Sequence, residues 1–233
     1  MQTQRDLKMS NVKLSKQGEE LIALYKEMFC LGFQRTDEKQ VAAENVYNSF
    51  QLKKFRHLCK NHISNSTIKT VLDYGGGGSD WDAPNFEETS GESAKQFFNV
   101  KKVTTFEPAR NLMEKQESDC VVCIDVLEHI FITDVPKLIN ELFLLSKKLL
   151  VINVACYEAA ALLPNGENAH ITVRSPHWWK GMFDAVAMNY PDIEVFLICS
   201  ETFEKGIIFK PFKSENWHTS NEYLIECKWG TLQ

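Results

Sequence analysis

Four nearly unbroken apolar runs between residues 68 and 157 constrain this chain more than anything else in it. IKTVLDY, VKKVTTFEP, DCVVCIDVL and KKLLVINVACY are too continuously apolar for half-exposed strands and read as parallel strands covered on both faces. The first is cut off by Gly75-Gly76-Gly77-Gly78, a strand running into a tight backbone turn. Between the last two lies FITDVPKLINELFLLSKK, whose Val135, Leu138, Ile139, Leu142 and Leu145 mark one side of an amphipathic helix. Strand, helix, strand at this spacing is a βαβ crossover, and the pattern predicts an open α/β sheet.

The flanks add helices and an edge. Leu21, Ile22, Leu24, Tyr25, Met28 and Phe29 recur at helical spacing and predict a helix from Gln17 to about Leu31. A second helix is expected from about Lys39 to Ile63, with Val41, Val46, Phe50, Leu52, Phe55 and Leu58 facing inward, before the polar break NHISNST. Residues 1–66 thus read as an N-terminal helical extension packing on a core domain of residues 67–233, with the first 14 residues frayed. Ser175 and Pro176 open a later helix as N-cap and first helical residue. IEVFLICSE and EYLIECKWG are expected to pair antiparallel at one edge of the sheet.

At 233 residues and 44% hydrophobic, the chain can bury a core without staples. It shows neither a signal peptide nor an apolar run near the ~20 residues of a membrane span, so a cytoplasmic protein without membrane insertion is expected. Seven scattered cysteines read as reduced thiols. Cys120 and Cys123 form a C-x-x-C, but on a strand they point to opposite faces. With no second Cys or His pair nearby, no metal site is expected. A net charge of −5 gives no reason to expect a nucleic-acid partner.

Ligands of open α/β sheets bind outside the carboxyl ends of the strands, near the point where the strand order reverses. Those ends read Asp73-Tyr74-Gly75-Gly76-Gly77-Gly78-Ser79, then Glu107-Pro108, then Asp125-Val126-Leu127-Glu128-His129. Glycines let a ligand approach the backbone, and a carboxylate at Glu107 can accept hydrogen bonds from the vicinal hydroxyls of a ribose. A dinucleotide fits poorly: the G-x-G-x-x-G spacing is missing, and Asp73, Asp80 and Asp82 would repel a pyrophosphate while favouring a sulfonium and an ammonium. No G-K-[ST] follows the glycines, which excludes a Walker loop.

VLDYGGGGS resembles motif I of the class I S-adenosylmethionine-dependent methyltransferases. TTFEP is similar to their ribose-binding strand end, and DCVVCIDVLEHI to their fourth-strand segment. LPNGENAHITVRSPHWW further resembles a subgroup of small bacterial and phage-borne methyltransferases, and the likeness runs from about Leu21 to about Trp179. The resemblance implies a Rossmann-like, mostly parallel sheet with helices on both faces. It implies S-adenosyl-L-methionine as cofactor and methyl transfer to O or N of a small-molecule or saccharide acceptor. Asp73 and Tyr74 would end the first strand, with Asp73 anchoring the loop or the methionine ammonium. Gly75, Gly76 and Gly77 would lie under the cofactor, Glu107 beside Pro108 would hold the ribose, and Asp125, Val126 and Leu127 would border the methionine moiety. Glu128, His129 and His170 are the candidate catalytic residues, His170 having the pKa range of a general base. Trp178 and Trp179 on the Ser175 helix are expected to be core on one face, with one of them lining the acceptor pocket.

The chain departs from the family pattern at two places. Ser79 stands for the third glycine of the motif. Only Pro108 to Ser118 separates Glu107 from the next strand, so the family's third strand is expected to be missing or reduced, leaving Arg110, Leu112 and Met113 as candidate adenine contacts. The stretch from Asp80 to Asn99 is longer than a bare crossover needs and is expected to form a lid or loop near the site. These departures keep open an alternative, a catalytically inactive S-adenosylmethionine-binding partner or sensor subunit.

Overall fold

The computed structural model describes residues 12–47 and 50–213, together with the backbone of the strand Tyr223–Lys228. The expected fraying of the first 14 residues lies almost wholly outside them.

The four apolar runs form β3 (Thr70–Tyr74), β4 (Lys102–Phe106), β5 (Ser118–Ile124) and β6 (Ser146–Ala155), all pairing in parallel. With β7 (Glu194–Ser200), β8 (Lys205–Phe209) and β9 (Tyr223–Lys228) they make one sheet in the order β4-β3-β5-β6-β7-β8-β9. Among the described residues no strand lies beyond β4: the chain after Glu107 makes a 3₁₀ turn, Pro108–Arg110, and closes on itself through paired Glu107 and Leu112 hydrogen bonds. The third strand of the methyltransferase pattern is therefore absent among the described residues.

Alternation sorts the strand residues onto two cores. Leu72, Val121, Cys123, Leu150 and Ile152 meet α4 (Val135–Leu145) and α5 (Pro176–Ala187) on one face. Val71, Cys120, Val122 and Val151 meet α2 (Leu52–Ile63), α3 (Ala94–Phe97), Trp81 and Phe86 on the other. Cys120 and Cys123 thus point to opposite faces, and both are free thiols. Helices cover both faces, and the chain has a Rossmann-like α/β fold.

Two expectations are corrected. The helix expected over Lys39–Ile63 begins only at Leu52. Upstream, Gln40–Val41 (β2) pairs with Phe33–Gln34 (β1), Ala43–Asn45 is a 3₁₀ turn, and Tyr47 sits at φ 55, where a helix cannot continue. At the other edge, Ile193–Glu201 does not pair with the last strand, because the unforeseen β8 folds back between β7 and β9 and pairs antiparallel with both.

The N-terminal segment crosses the carboxyl ends of the strands. Helix α1 (Lys16–Leu31) is capped by Ser15, whose hydroxyl accepts from the Gly18 amide at 3.1 Å and bonds Asp134 at the start of α4 at 2.5 Å. Its Leu21 and Met28 pack with Val46, Leu163 and Ala169 in a third, smaller core. The β1–β2 hairpin docks on the loop after β6 through Thr36 N–H to Ala160 O at 2.8 Å and Leu162 N–H to Gln34 O at 2.9 Å. A roof therefore stands over the strand ends where the sheet order reverses. Among the described residues no helix is long and apolar enough to cross a membrane.

Candidate active site

Beneath this roof lies a cavity of about 1260 Å³, lined by the ends of β3, β4 and β5, by α1 and the start of α2, and by residues of the 157–170 connection. Asp73, Tyr74, Gly75, Gly76, Gly77, Glu107, Pro108, Asp125, Val126, His129 and His170 all reach it. Leu127 and Glu128 do not: both are fully buried behind the wall. Trp179 is buried in the α4–α5 core and Trp178 packs against it, so neither lines the cavity.

The glycine turn is built by exclusion. Gly75 takes φ 73, and a Cβ there would sit 2.5 Å from Val126 Cγ2. At Gly76 a Cβ would sit 2.5 Å from the Asp73 carboxylate. Asp73 is 4% exposed and accepts a 2.8 Å bond from the Trp81 indole. Burial pushes its pKa up from 3.8 to about 6 against that bond. The Ser79 hydroxyl and amide both donate to Gly76 O, so the residue in the third glycine's place closes the turn. The Asp80–Asn99 stretch is a loop beside the site rather than a lid: Trp81 holds Asp73, and Trp81, Phe86, Phe97 and Phe98 are buried against the sheet.

Glu107 continues β4 at the level of the turn, because Tyr74 pairs with Phe106. Its carboxylate accepts from the Gly77 amide at 3.1 Å and the Ala109 amide at 2.9 Å. Burial raises its pKa despite both bonds. Arg110 donates to Gly77 O at 2.6 Å, Met113 lines the cavity, and Leu112 is 40% exposed and does not reach it. Of the candidate adenine contacts only Met113 faces the space.

At the end of β5, Asp125 holds a left-handed backbone at φ 61, uncommon for a residue with a side chain. Glu128 turns inward. One of its carboxylate oxygens accepts from the Ala155 amide and the other, Oε2, has no partner among the described residues. Burial, reinforced by Asp125, drives its pKa well up, and the side chain lies behind the cavity wall rather than in it.

Two histidines close the far wall. His129 Nδ1 lies 2.9 Å from Ala169 O and His170 Nδ1 lies 2.6 Å from Tyr157 O. A carbonyl only accepts, so both Nδ1 atoms carry the hydrogen and, in the neutral rings, Nε2 keeps a lone pair. Burial and the neighbouring His170 lower the His129 pKa to about 4, keeping that ring neutral. Asp125, His129 and His170 each bring one ligand-type atom to within 4.8 Å of the others. Asn168 is spent on structure, bonding the Ala159 backbone through both its amide atoms at 2.9 Å.

Tyr25, which the sequence pattern places only on the apolar stripe of α1, and Tyr47, Lys54 and Tyr157, which no motif marks, are all in the lining. Tyr25 donates to Ala169 O at 2.6 Å and meets the His129 ring edge-on. Burial raises the Tyr25 and Tyr47 pKa values, and that of Tyr157 to about 12. Burial lowers that of Lys54, against the pull of the Asp125 charge. A tyrosine on the inner stripe of α1 was the one available signal, and it read as core. No family model, curated protein or solved structure matches the chain.

Proposed function

We propose that the cavity binds S-adenosyl-L-methionine and that the protein transfers its methyl group to O or N of a small-molecule or saccharide acceptor. The observation that carries this reading is the convergence of three acids, Asp73, Glu107 and Asp125, with a glycine turn in one cavity at the switch point of the sheet. A Cβ is excluded at Gly75 and Gly76, as a turn beneath a closely approaching ligand requires. Acids suit a cofactor carrying an ammonium and a sulfonium and would repel a pyrophosphate. The space, about 1260 Å³, exceeds the ~300–1,000 Å³ of common ligand pockets and leaves room for a second molecule.

When bound, the cofactor supplies a methyl group already activated by its sulfonium. The chain's part is then alignment and exclusion of water. Each Glu107 oxygen holds one backbone amide and retains a lone pair for a ribose hydroxyl. Lys54 and Asp125 sit close enough for their charges to interact, a pair complementary to the carboxylate and ammonium of the methionine moiety. An acceptor hydroxyl also needs somewhere to send its proton, and the Nε2 lone pairs of His129 and His170 are the candidates in the wall.

Calorimetric titration with adenosylmethionine and with its demethylated product tests this. Glu107→Ala removes two charge-assisted hydrogen bonds of about 1.5 kcal/mol each, so its affinity is expected to fall by about two orders of magnitude. Failure of the folded protein to bind either ligand refutes the proposal. Binding without turnover over a panel of acceptors supports the sensor reading instead.

A further inference from the structure

We propose that Asp125, His129 and His170 form a binding site for one divalent transition-metal ion, with an open coordination position facing the cavity. The site shares its three residues with the methyl-transfer reading, and a bound ion would take the Asp125 carboxylate and the histidine lone pairs away from the roles given to them there. Its binding needs no cofactor, however, and is tested without one.

Three observations carry it. One ligand-type atom from each residue, a carboxylate oxygen of Asp125 and a ring nitrogen of each histidine, lies within 4.8 Å of the other two. Ligands about 2.0–2.1 Å from a tetrahedral ion are about 3.4 Å apart, so binding draws these atoms together by at most about 1.4 Å. Second, both imidazoles already have the outer support that metal-bound histidines use: Nδ1–H on a backbone carbonyl, Ala169 O at 2.9 Å and Tyr157 O at 2.6 Å. That support fixes the tautomer with Nε2 unprotonated, the state a metal requires, in two neighbouring rings whose centroids are 4.8 Å apart. Third, Asp125 is held at φ 61, a conformation that the surrounding structure must impose and that is concentrated at functional sites.

Two imidazoles and one carboxylate suit Zn²⁺ and its neighbours in the first transition row better than Mg²⁺ or Ca²⁺, which prefer all-oxygen sets. Three protein ligands leave a tetrahedral ion one position short, as in catalytic rather than structural zinc sites. Because all three residues line the cavity, that position faces the ligand space, where an oxygen donor of a bound molecule would fill it. Glu128 is not a fourth ligand, since it does not line the cavity. The spacing signals used for zinc look for Cys or His pairs close in sequence, whereas the close pair here is the mixed Asp125 and His129, and the second histidine, His170, lies far along the chain.

Chain stripped with EDTA and titrated with Zn²⁺ alone, without adenosylmethionine, tests the proposal. One Zn²⁺ per chain is expected, with His129→Gln and His170→Gln each weakening it at least ~10-fold. Co²⁺ should give visible ligand-field bands that both variants lose. Should a histidine variant fail to fold, Asp125→Asn gives the same reading, because Asn tolerates the left-handed backbone. Glu107→Ala should keep the metal and lose the cofactor, so the two proposals fail separately. No Zn²⁺ bound by the folded chain, or undiminished binding in the variants through a thiol such as exposed Cys30, overturns the site.

Discussion

Gly75→Ala is expected to lower folding stability by about 2–4 kcal/mol and to abolish adenosylmethionine binding by whatever folds. Two effects add. At φ 73 any side chain meets the left-handed penalty of about 1–2 kcal/mol. The new Cβ also falls 2.5 Å from Val126 Cγ2 and 2.9 Å from Cγ1, forcing the ends of β3 and β5 apart. Gly166→Ala supplies the internal control, with φ 86 and nothing within 4 Å of its Cβ. Urea unfolding of both variants separates conformation from contact. If the two lose equal stability, Val126 does not press on the turn and the close packing argued for it is wrong.

Asp73→Asn is expected to do the opposite, raising stability at neutral pH while weakening the cofactor site. The folded-state pKa of Asp73 is raised, from 3.8 to about 6, because burial disfavours its charge. Its contribution is therefore fully present below about pH 4 and is lost as pH rises through 6. A displacement of this size corresponds to about 3 kcal/mol. Asparagine is neutral throughout and its carbonyl can still accept from Trp81. The variant should gain up to about 3 kcal/mol over the parent above pH 6 and nothing below pH 4, as unfolding curves from pH 4 to 8 will show. Parallel curves would mean that Asp73 is not buried as a charge. The trade of stability for a binding function is a common one at ligand sites.

The strand ends were legible because each motif is local: a run of apolar residues stops, and an acid or a glycine stands at the stop. Asp73, Glu107 and Asp125 meet in the cavity for that reason. The missing third strand was legible too, since eleven residues from Pro108 to Ser118 leave no room for helix and strand. What could not be read locally was set by distant partners. Val41 to Tyr47 has helical composition, yet β2 is recruited by β1, and the hairpin by the chain at 160–162. β8 is five residues long and lies between two longer apolar runs, so its part between β7 and β9 was masked. Glu128 looked like a catalytic acid beside His129, but the 3₁₀ turn Leu127–His129 sends consecutive side chains in different directions, one into the wall and one into the cavity.

The burial of Asp73 has a consequence for how binding is measured. With a pKa of about 6, this carboxyl is partly protonated in mildly acidic buffer. A cation arriving beside it favours the ionised form, so the bound state should shed up to one proton per chain to the solution near that pH. The observed heat will then depend on the ionisation enthalpy of the buffer and converge between buffers at alkaline pH. Glu107 titrates upward for the same reason and adds its own share. A neutral ligand filling the same space would displace water from these acids without supplying a charge and drive proton uptake instead, so the sign of the proton count tells a cationic guest from an uncharged one.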